Sequence, residues 1–244
     1  MKTKEIKEQT YTADDTLAAI VLKNYHAAAV FLENDLDFYC KGDQKLDEAC
    51  NLAGVDTDQL VKSLEALPKS ERTKSEDVRK WPIHFLADFI ENTHHSFVRE
   101  KNEKLSKYAA ILCQNHEEFS SELTSIYEQF LLLIQEVDRH MCEEENRIFP
   151  LIKELADEVN SAGRAYPQTI SVFRDEIEKL RDEHETAVKM MRELKKVSNN
   201  FEPSEGASDE ICKLYRNLTD FEKDLYRHIH LESNVLFKKA EALI

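Results

Sequence analysis

Apolar residues recur at every third or fourth position along most of the chain, which is the spacing of amphipathic helices. Beyond residue 81 this pattern predicts four long helices, which run from about 82 to 114, from 117 to 157, from 167 to 197 and from 208 onward. Gly163, Pro167 and the polar stretch 199–206 separate the later ones. Helices of similar length joined by short loops predict an up-and-down four-helix bundle.

The first 67 residues predict a small helical domain of their own. A helix, a turn-rich loop and two short helices are expected over 14–32, 34–43, 44–53 and 57–66, with Asp56 as an N-cap. Charged residues dominate the next stretch, as in a solvated linker. The predicted organisation of this all-α protein is a helical domain over 1–67, a linker over 68–80 and a bundle over 81–244.

The composition limits the partners and the compartment. The 244 residues include only four Gly and five Pro and carry a formal net charge of −15. Nucleic acid and anionic membranes are therefore not expected as partners, because both attract basic surfaces. The chain has no apolar leader and no membrane-spanning stretch, so a cytoplasmic location is expected. The five cysteines are scattered and predict reduced thiols; Cys40, in the loop, is either a reactive thiol or an incidental one.

Two segments of the bundle repeat each other. They begin at His140 and His228, and each continues with Glu four residues later, Asn at six and Phe at nine. On a helix, residues four apart lie on one face, so the His and Glu of each segment can reach a common point.

Two further histidines extend this repeat. His95 lies 45 residues before His140, and His184 lies 44 residues before His228. In a bundle, side chains at equal distances from a connecting loop stand at the same height. Six side chains are therefore expected on one level, namely His95, His140, Glu144, His184, His228 and Glu232.

This set predicts a site for more than one metal ion. Imidazole and carboxylate groups bind iron, manganese or zinc, and six ligands are too many for one tetrahedral zinc with an open position. Two ions that each take two histidines, with Glu144 and Glu232 as bridges, account for all six. Such a pair favours iron, although affinity alone also allows other metals. The sequence contains no HExxH motif, which argues against zinc-protease chemistry.

Three more histidines compete for a place at this site. His94 faces about 100° away from His95, so only one of them can point at the centre, and the spacing selects His95. His230 lies on another face than His228, and His116 falls near a predicted loop.

Acidic residues accompany the repeated histidines along the chain. Glu136 and Asp224 each precede a repeated His by four residues, and Glu183 directly precedes His184. Each could hydrogen-bond a ligand imidazole or relay protons, the alternative being an ordinary solvated carboxylate.

Together these residues resemble the hemerythrin-like di-iron domain of the repair-of-iron-centres family (YtfE/ScdA type). The resemblance covers nearly the whole chain, because residues 35–67 are similar to the N-terminal domain of that family. The sequence departs from the family in two places. In the N-terminal loop, Tyr39-Cys40 replaces a pair of cysteines and is followed by Lys41 where Gly is usual. In the bundle, His94 stands where Tyr is common.

The resemblance implies a cofactor and a function. The cofactor would be two iron ions, joined by carboxylates and by an oxo or hydroxo bridge, with the six residues above as ligands. The implied role is the repair of iron–sulfur clusters damaged by nitrosative or oxidative stress, through iron supply or nitric oxide handling. Iron–sulfur proteins would be transient partners, and a homodimer is compatible with this role. Two alternatives stay open, namely an enzyme that reduces nitric oxide to nitrous oxide and a module that binds or senses O2 or NO reversibly.

Overall fold

The computed structural model describes residues 11–68, 77–115 and 120–244, without the side chains of 109–115, 120 and 122. This part of the chain is helical and contains no β-strand beyond one isolated bridge between Thr16 and Lys45. The predicted all-α fold is confirmed. None of the helices in these residues has the length and apolar character that a membrane crossing requires. The chain divides into two compact units between Lys80 and Trp81.

The first unit consists of short helices. The described residues form α1 to α4 over Leu17–Lys23, Ala27–Glu33, Leu46–Ala53 and Thr57–Ala66. The single helix predicted over 14–32 is wrong, because the backbone of Asn24 is extended. The Asn24 side chain donates to the carbonyl of Pro68 at 2.9 Å and accepts from the N–H of His26 at 3.2 Å. A side-chain amide that bonds to the backbone in this way competes with the hydrogen bonds of a helix.

The predicted linker is only partly described. Residues 69–76 lie outside the described residues, and Val78–Lys80 forms a 3-10 turn in which Val78 is buried. The predicted cap at Asp56 is confirmed, since its carboxylate accepts from the N–H of Gln59 at 2.9 Å.

The second unit is a bundle of four helical rods, called here the first to fourth bundle helices. Their segments are α5 and α6 (Ile83–Ile90, Ser96–Asn115), α7 and α8 (Ser120–Glu143, Phe149–Ala162), α9 (Pro167–Val197), and α10 and α11 (Asp209–Leu231, Phe237–Glu241). Helix α6 packs against α7 and α10, and α7 packs against α9. The bundle predicted from the apolar pattern is therefore present.

The ends of the bundle helices follow from their caps. Ser208 caps the fourth helix through the N–H of Ile211, as predicted. The predicted end of the second helix at residue 157 is wrong, because the helix continues to Ala162. It stops at Gly163, whose φ of +72° places it in the left-handed region that favours glycine.

Three of the bundle helices contain a π-turn that the sequence pattern did not predict. The turns are Glu91–His95, Glu144–Ile148 and Glu232–Leu236. In each, the N–H that follows the turn donates to the carbonyl of its first residue, five positions back. A π-turn inserts one residue into a helix, so it changes the direction of every side chain that follows. All three turns lie at the predicted site.

Candidate metal centre

The structure brings the six predicted side chains together inside the bundle. Each of the four helices contributes one histidine, and the second and fourth also contribute a glutamate. All six are buried, and Glu144 and Glu232 are 0% exposed. Their ligand atoms form two groups whose members lie within 4.8 Å of one another. The first group contains His95 and His228, the second contains His140 and His184, and both include Glu144 and Glu232.

Each glutamate directs one oxygen to each group. Glu144 Oε2 lies 3.4 Å from His95 Nε2, and Glu144 Oε1 lies 3.3 Å from His140 Nε2. Glu232 Oε1 lies 3.6 Å from His95 Nε2, and Glu232 Oε2 lies 3.1 Å from His184 Nε2. Atoms that share one ion at roughly 2.1 Å are about 3–4 Å apart. The spacing therefore suits two ions with both carboxylates between them.

The cluster also contains polar atoms that nothing in the described residues satisfies. Both carboxylate oxygens of Glu144, Oε2 of Glu232, and Nε2 of His140 and His184 have no hydrogen-bond partner there. Buried polar atoms without partners cost free energy, so such atoms are rare in folded proteins. Here they are the atoms that a cation would contact. The donor set therefore fits metal ions.

Three of the four imidazoles are anchored through Nδ1, the nitrogen that faces away from the cluster. His95 Nδ1 donates to Glu145 Oε1 at 2.7 Å, and His140 Nδ1 donates to Glu183 Oε2 at 2.7 Å. The third, His184 Nδ1, hydrogen-bonds Ser233 Oγ at 3.1 Å. Such bonds fix the ring orientation and leave Nε2 for a metal.

Glu145 and Ser233 were missed by the sequence reasoning. Each directly follows a cluster glutamate and lies within a π-turn. The same turns place two aromatic rings, since Phe149 stacks on His95 at 5.6 Å and Phe237 stacks on His184 at 6.0 Å. The repeat contained a signal for the rings, because both segments have Phe nine residues after the first His.

The charges of the metal-free cluster balance one another. Burial alone would lower the pKa of His95, but Glu144 and Glu232 raise it to about 10. Burial would also lower the pKa of His140, which its glutamate neighbours likewise raise to about 10. Burial favours a raised pKa for both cluster glutamates, yet the imidazoles hold it below the usual value. Protonated His95 and His140 thus offset the two carboxylates, and a metal must displace these protons.

Of the two glutamates that the sequence suggested as imidazole partners in this part of the bundle, one contacts a cluster histidine. Glu183 contacts His140, whose hydrogen bond lowers the pKa of Glu183 to about 2. Glu136 makes no hydrogen bond or ion pair with a cluster histidine among the described residues and instead pairs with Arg139 at 2.5 Å.

Other residues singled out in the sequence lie elsewhere. Asp224 Oδ1 accepts from Nδ1 of the buried His94 at 3.0 Å, so Asp224 contacts a neighbour of the cluster. His230 is buried beside Asn234, at 3.2 Å, and is in neither group. Cys40 lies in the first unit and forms no disulfide with another described cysteine. His116 lies outside the described residues.

A small cavity adjoins the cluster. Its volume is about 10 Å³, roughly the space of one water-sized molecule. His140, His184 and His228 line it together with Glu136 and Glu183. The rest of the wall is apolar and consists of Val137, Ala187, Leu225 and Ile229.

Comparison with known proteins identifies the family. Residues 86–240 match the hemerythrin HHE cation binding domain. The chain belongs to the hemerythrin HHE family. Residues 13–68 of this hemerythrin HHE protein match ScdA_N, which is described as a domain of unknown function.

Two relatives are similar to the chain over nearly their whole length. The chain is 30% identical over 227 residues to the iron-sulfur cluster repair protein YtfE of Yersinia pseudotuberculosis serotype IB (strain PB1/+). It is equally similar to the YtfE protein of Yersinia pestis (strain Pestoides F). Each comparison covers 93% of this chain and 96% of the relative. The resemblance stated from the sequence motifs is therefore confirmed, and so is the metal-binding character of the hemerythrin HHE bundle at the level of the family.

Proposed function

We propose that this protein binds two iron ions in the cluster and acts in the repair of iron–sulfur clusters damaged by nitrosative or oxidative stress. His95 and His228 would hold one ion, His140 and His184 the other, and the two glutamates would bridge them. The observation that carries the proposal is the direction of the carboxylates, each with one oxygen toward each histidine pair. The YtfE relatives are named for iron–sulfur cluster repair, which supports the role.

Residues next to the cluster orient its imidazoles. Glu145, Glu183 and Ser233 orient their imidazoles through Nδ1. The cluster side chains are buried inside the bundle, so their charges interact strongly there. Bound iron would supply electrons to small ligands, or would itself be the material delivered to damaged clusters, with iron–sulfur proteins as transient partners.

Metal analysis tests the site. Full-length protein made in iron-replete cells is compared with its His140→Ala and Glu144→Ala variants. We expect two irons per chain in the unmodified protein. Glu144→Ala should lose both, because that carboxylate serves both positions, whereas His140→Ala should affect one position first. One iron or none in the unmodified protein would contradict the two-ion proposal.

The role itself is tested in cells. A strain that lacks the protein should recover the activity of iron–sulfur enzymes more slowly after nitric oxide exposure, and the unmodified gene should restore the rate. Complementation by the Glu144→Ala gene should fail. Normal recovery without the protein would refute the repair role.

The small cavity supports a second candidate, the reduction of nitric oxide to nitrous oxide. It lies against three cluster histidines, and the apolar part of its wall suits a small neutral molecule. Two NO, two electrons and two protons give N2O and water, and two ferrous ions can supply the electrons. We propose Glu183 and Glu136, which both line the cavity, as groups that handle the protons.

An anaerobic N2O assay on reduced, iron-loaded protein distinguishes the two candidates. Ala187→Val fills part of the cavity without replacing a cluster ligand and should reduce the rate while iron content stays at two. Formation of a stoichiometric nitrosyl complex without turnover would argue against the enzyme. A stable oxygenated complex would instead favour reversible O2 binding.

A further inference from the structure

The cluster has an internal two-fold repeat that extends beyond its ligands. His95 corresponds to His184, and each has a stacked Phe and an Nδ1 partner from the segment that follows the next repeated His. His140 corresponds in the same way to His228. The repeat therefore predicts that His228 has a counterpart of the bond that anchors His140.

His228 has no acidic residue in the position that corresponds to Glu183. His140 is anchored by Glu183, the residue directly before His184. The residue directly before His95 is His94, and His228 Nδ1 has no hydrogen-bond partner among the described residues. His228 is thus the one cluster imidazole of the described chain whose Nδ1 is not anchored.

His94 contacts His228 in another way. The two rings are parallel within 8°, and their centroids are 6.0 Å apart. His94 is 1% exposed, and the edge of Phe89 lies against it with centroids 5.8 Å apart. The ring of His94 therefore limits the rotation of the His228 ring from its face rather than from its edge.

Asp224 holds the ring of His94 in place. Its carboxylate accepts from His94 Nδ1 at 3.0 Å. Asp224 precedes His228 by four residues on α10, so both lie on the face of the fourth helix that His94 approaches. The three side chains thus connect the first bundle helix to the fourth next to the cluster.

We infer that His94, held by Asp224, is a positioning residue for His228, and that it replaces in this half of the cluster the anchor that Glu183 provides in the other. The inference rests on the two-ion site proposed above. It assigns His94 to the ion of His95 and His228, and Glu183 to the ion of His140 and His184. A ring at position 94 with a hydrogen-bonding nitrogen is required, because stacking alone leaves the ring free to slide.

Co2+ titration of the full-length, metal-free protein tests this inference, with visible absorption and competition by a chelator as readouts. His94→Ala should lower the affinity for one of the two ions by roughly 10–100-fold, as expected when a residue that orients a ligand is lost. His94→Phe, which keeps a ring but not the bond to Asp224, should fall between His94→Ala and the unmodified protein. Glu183→Ala, which removes the acceptor of His140 Nδ1, is the matched variant of the other half and should weaken the affinity for the other ion.

Double variants identify the ion that is affected. In a His228→Ala background, His94→Ala should have little further effect, whereas in a His140→Ala background its full effect should remain. If His94→Ala lowers the affinity for both ions equally, the residue has a general structural role and the inference is overturned. Two ions bound with unchanged affinity and unchanged spectrum would overturn it as well.

Circular dichroism checks that each variant is folded. If His94→Ala does not fold, Asp224→Ala replaces it, because Asp224 is partly exposed and its loss leaves the ring in place. The same selective weakening is expected, and normal binding of both ions would overturn the inference. An unmodified protein that binds fewer than two Co2+ ions would refute the two-ion site as well, so the two failures are distinguishable.

Discussion

At the scale of single residues, the main feature of the cluster is a pair of carboxylates that have no contact with solvent. Glu144 and Glu232 are 0% exposed, and an isolated buried charge of this kind would cost several kcal/mol. The surrounding imidazoles provide compensating positive charge, and their own orientation depends on a second layer of residues. That layer includes Glu145, which the bidentate guanidinium of Arg99 holds at 2.8 and 2.9 Å.

The Glu145 anchor yields a prediction for metal affinity. Glu145→Ala removes the acceptor of His95 Nδ1, so we expect metal affinity to fall by roughly 10–100-fold with the fold retained. Glu100→Ala, which removes an exposed carboxylate of the same helix bundle, serves as the control. Metal titration and circular dichroism of both variants check this. Equal affinities for the two variants would show that the anchor is dispensable.

The raised imidazole pKa values yield a prediction for pH. The pKa of His95 and of His140 rises from 6.5 to about 10 on folding without metal. Their stabilisation is therefore complete below about pH 6.5 and is lost as the pH rises towards 10. Metal binding must displace the same protons, so affinity should increase over that window.

Urea unfolding of metal-free protein and metal titrations at about pH 6.5, 8 and 9.5 check this prediction. The free energy of unfolding should fall along the series while the apparent metal affinity rises. About two protons should be released per loaded cluster near pH 7.5. Parallel changes of stability and affinity would contradict it.

At the scale of helices, the π-turns decide which side chains meet the cluster. A regular helix through Glu144 would keep the spacing to His140 but would turn Phe149 by about 100°. With the inserted residue, Phe149 lies on His95. The same holds for Phe237 and His184. The turns therefore complete the site, in keeping with the frequent occurrence of π-turns at functional sites.

Deletion of one turn residue tests this role. Asn146 is exposed in the second π-turn, so its deletion removes no buried side chain. We expect the helix to become regular, Phe149 to leave His95, and metal affinity and stability to fall together. Deletion of Glu205, in the loop before the fourth helix, is the control and should change metal content little. Iron content and thermal unfolding measure both. Normal iron content after deletion of Asn146 would refute the role.

At the scale of the whole molecule, the candidate site and the first unit are separate parts of the chain. All six cluster residues and their anchors belong to the unit that begins at Trp81. That unit has its own apolar core, in which Phe130 and Phe221 pack edge to face at 5.5 Å. The division into domains at 67 and 81 remains a prediction for the chain in solution.

A fragment of residues 81–244 tests the separation. We expect it to fold cooperatively and to bind as many metal ions as the full chain, because no cluster residue is removed. Circular dichroism and metal analysis of the fragment and the full chain check this. A fragment that folds but binds fewer ions would show that the first unit contributes to the centre.

The sequence by itself determined the helical class, the number of bundle helices, and the six residues that converge. It could do so because helical periodicity and equal loop-to-histidine intervals translate directly into face and height. It also named Glu183 as a candidate partner of a ligand imidazole, with a solvated carboxylate as the alternative, and did not choose which imidazole that residue contacts.

Only the tertiary structure decided the pairing of His95 with His228 and of His140 with His184, the anchors Glu145 and Ser233, and the position of His94 on His228. The break of the first predicted helix at Asn24 was likewise decided by a bond to Pro68, 44 residues away. The contacts at the cluster share one physical reason, because they depend on the rotation of each bundle helix about its axis. That rotation is set by π-turns and by packing between helices, and the periodic pattern of one helix does not contain it.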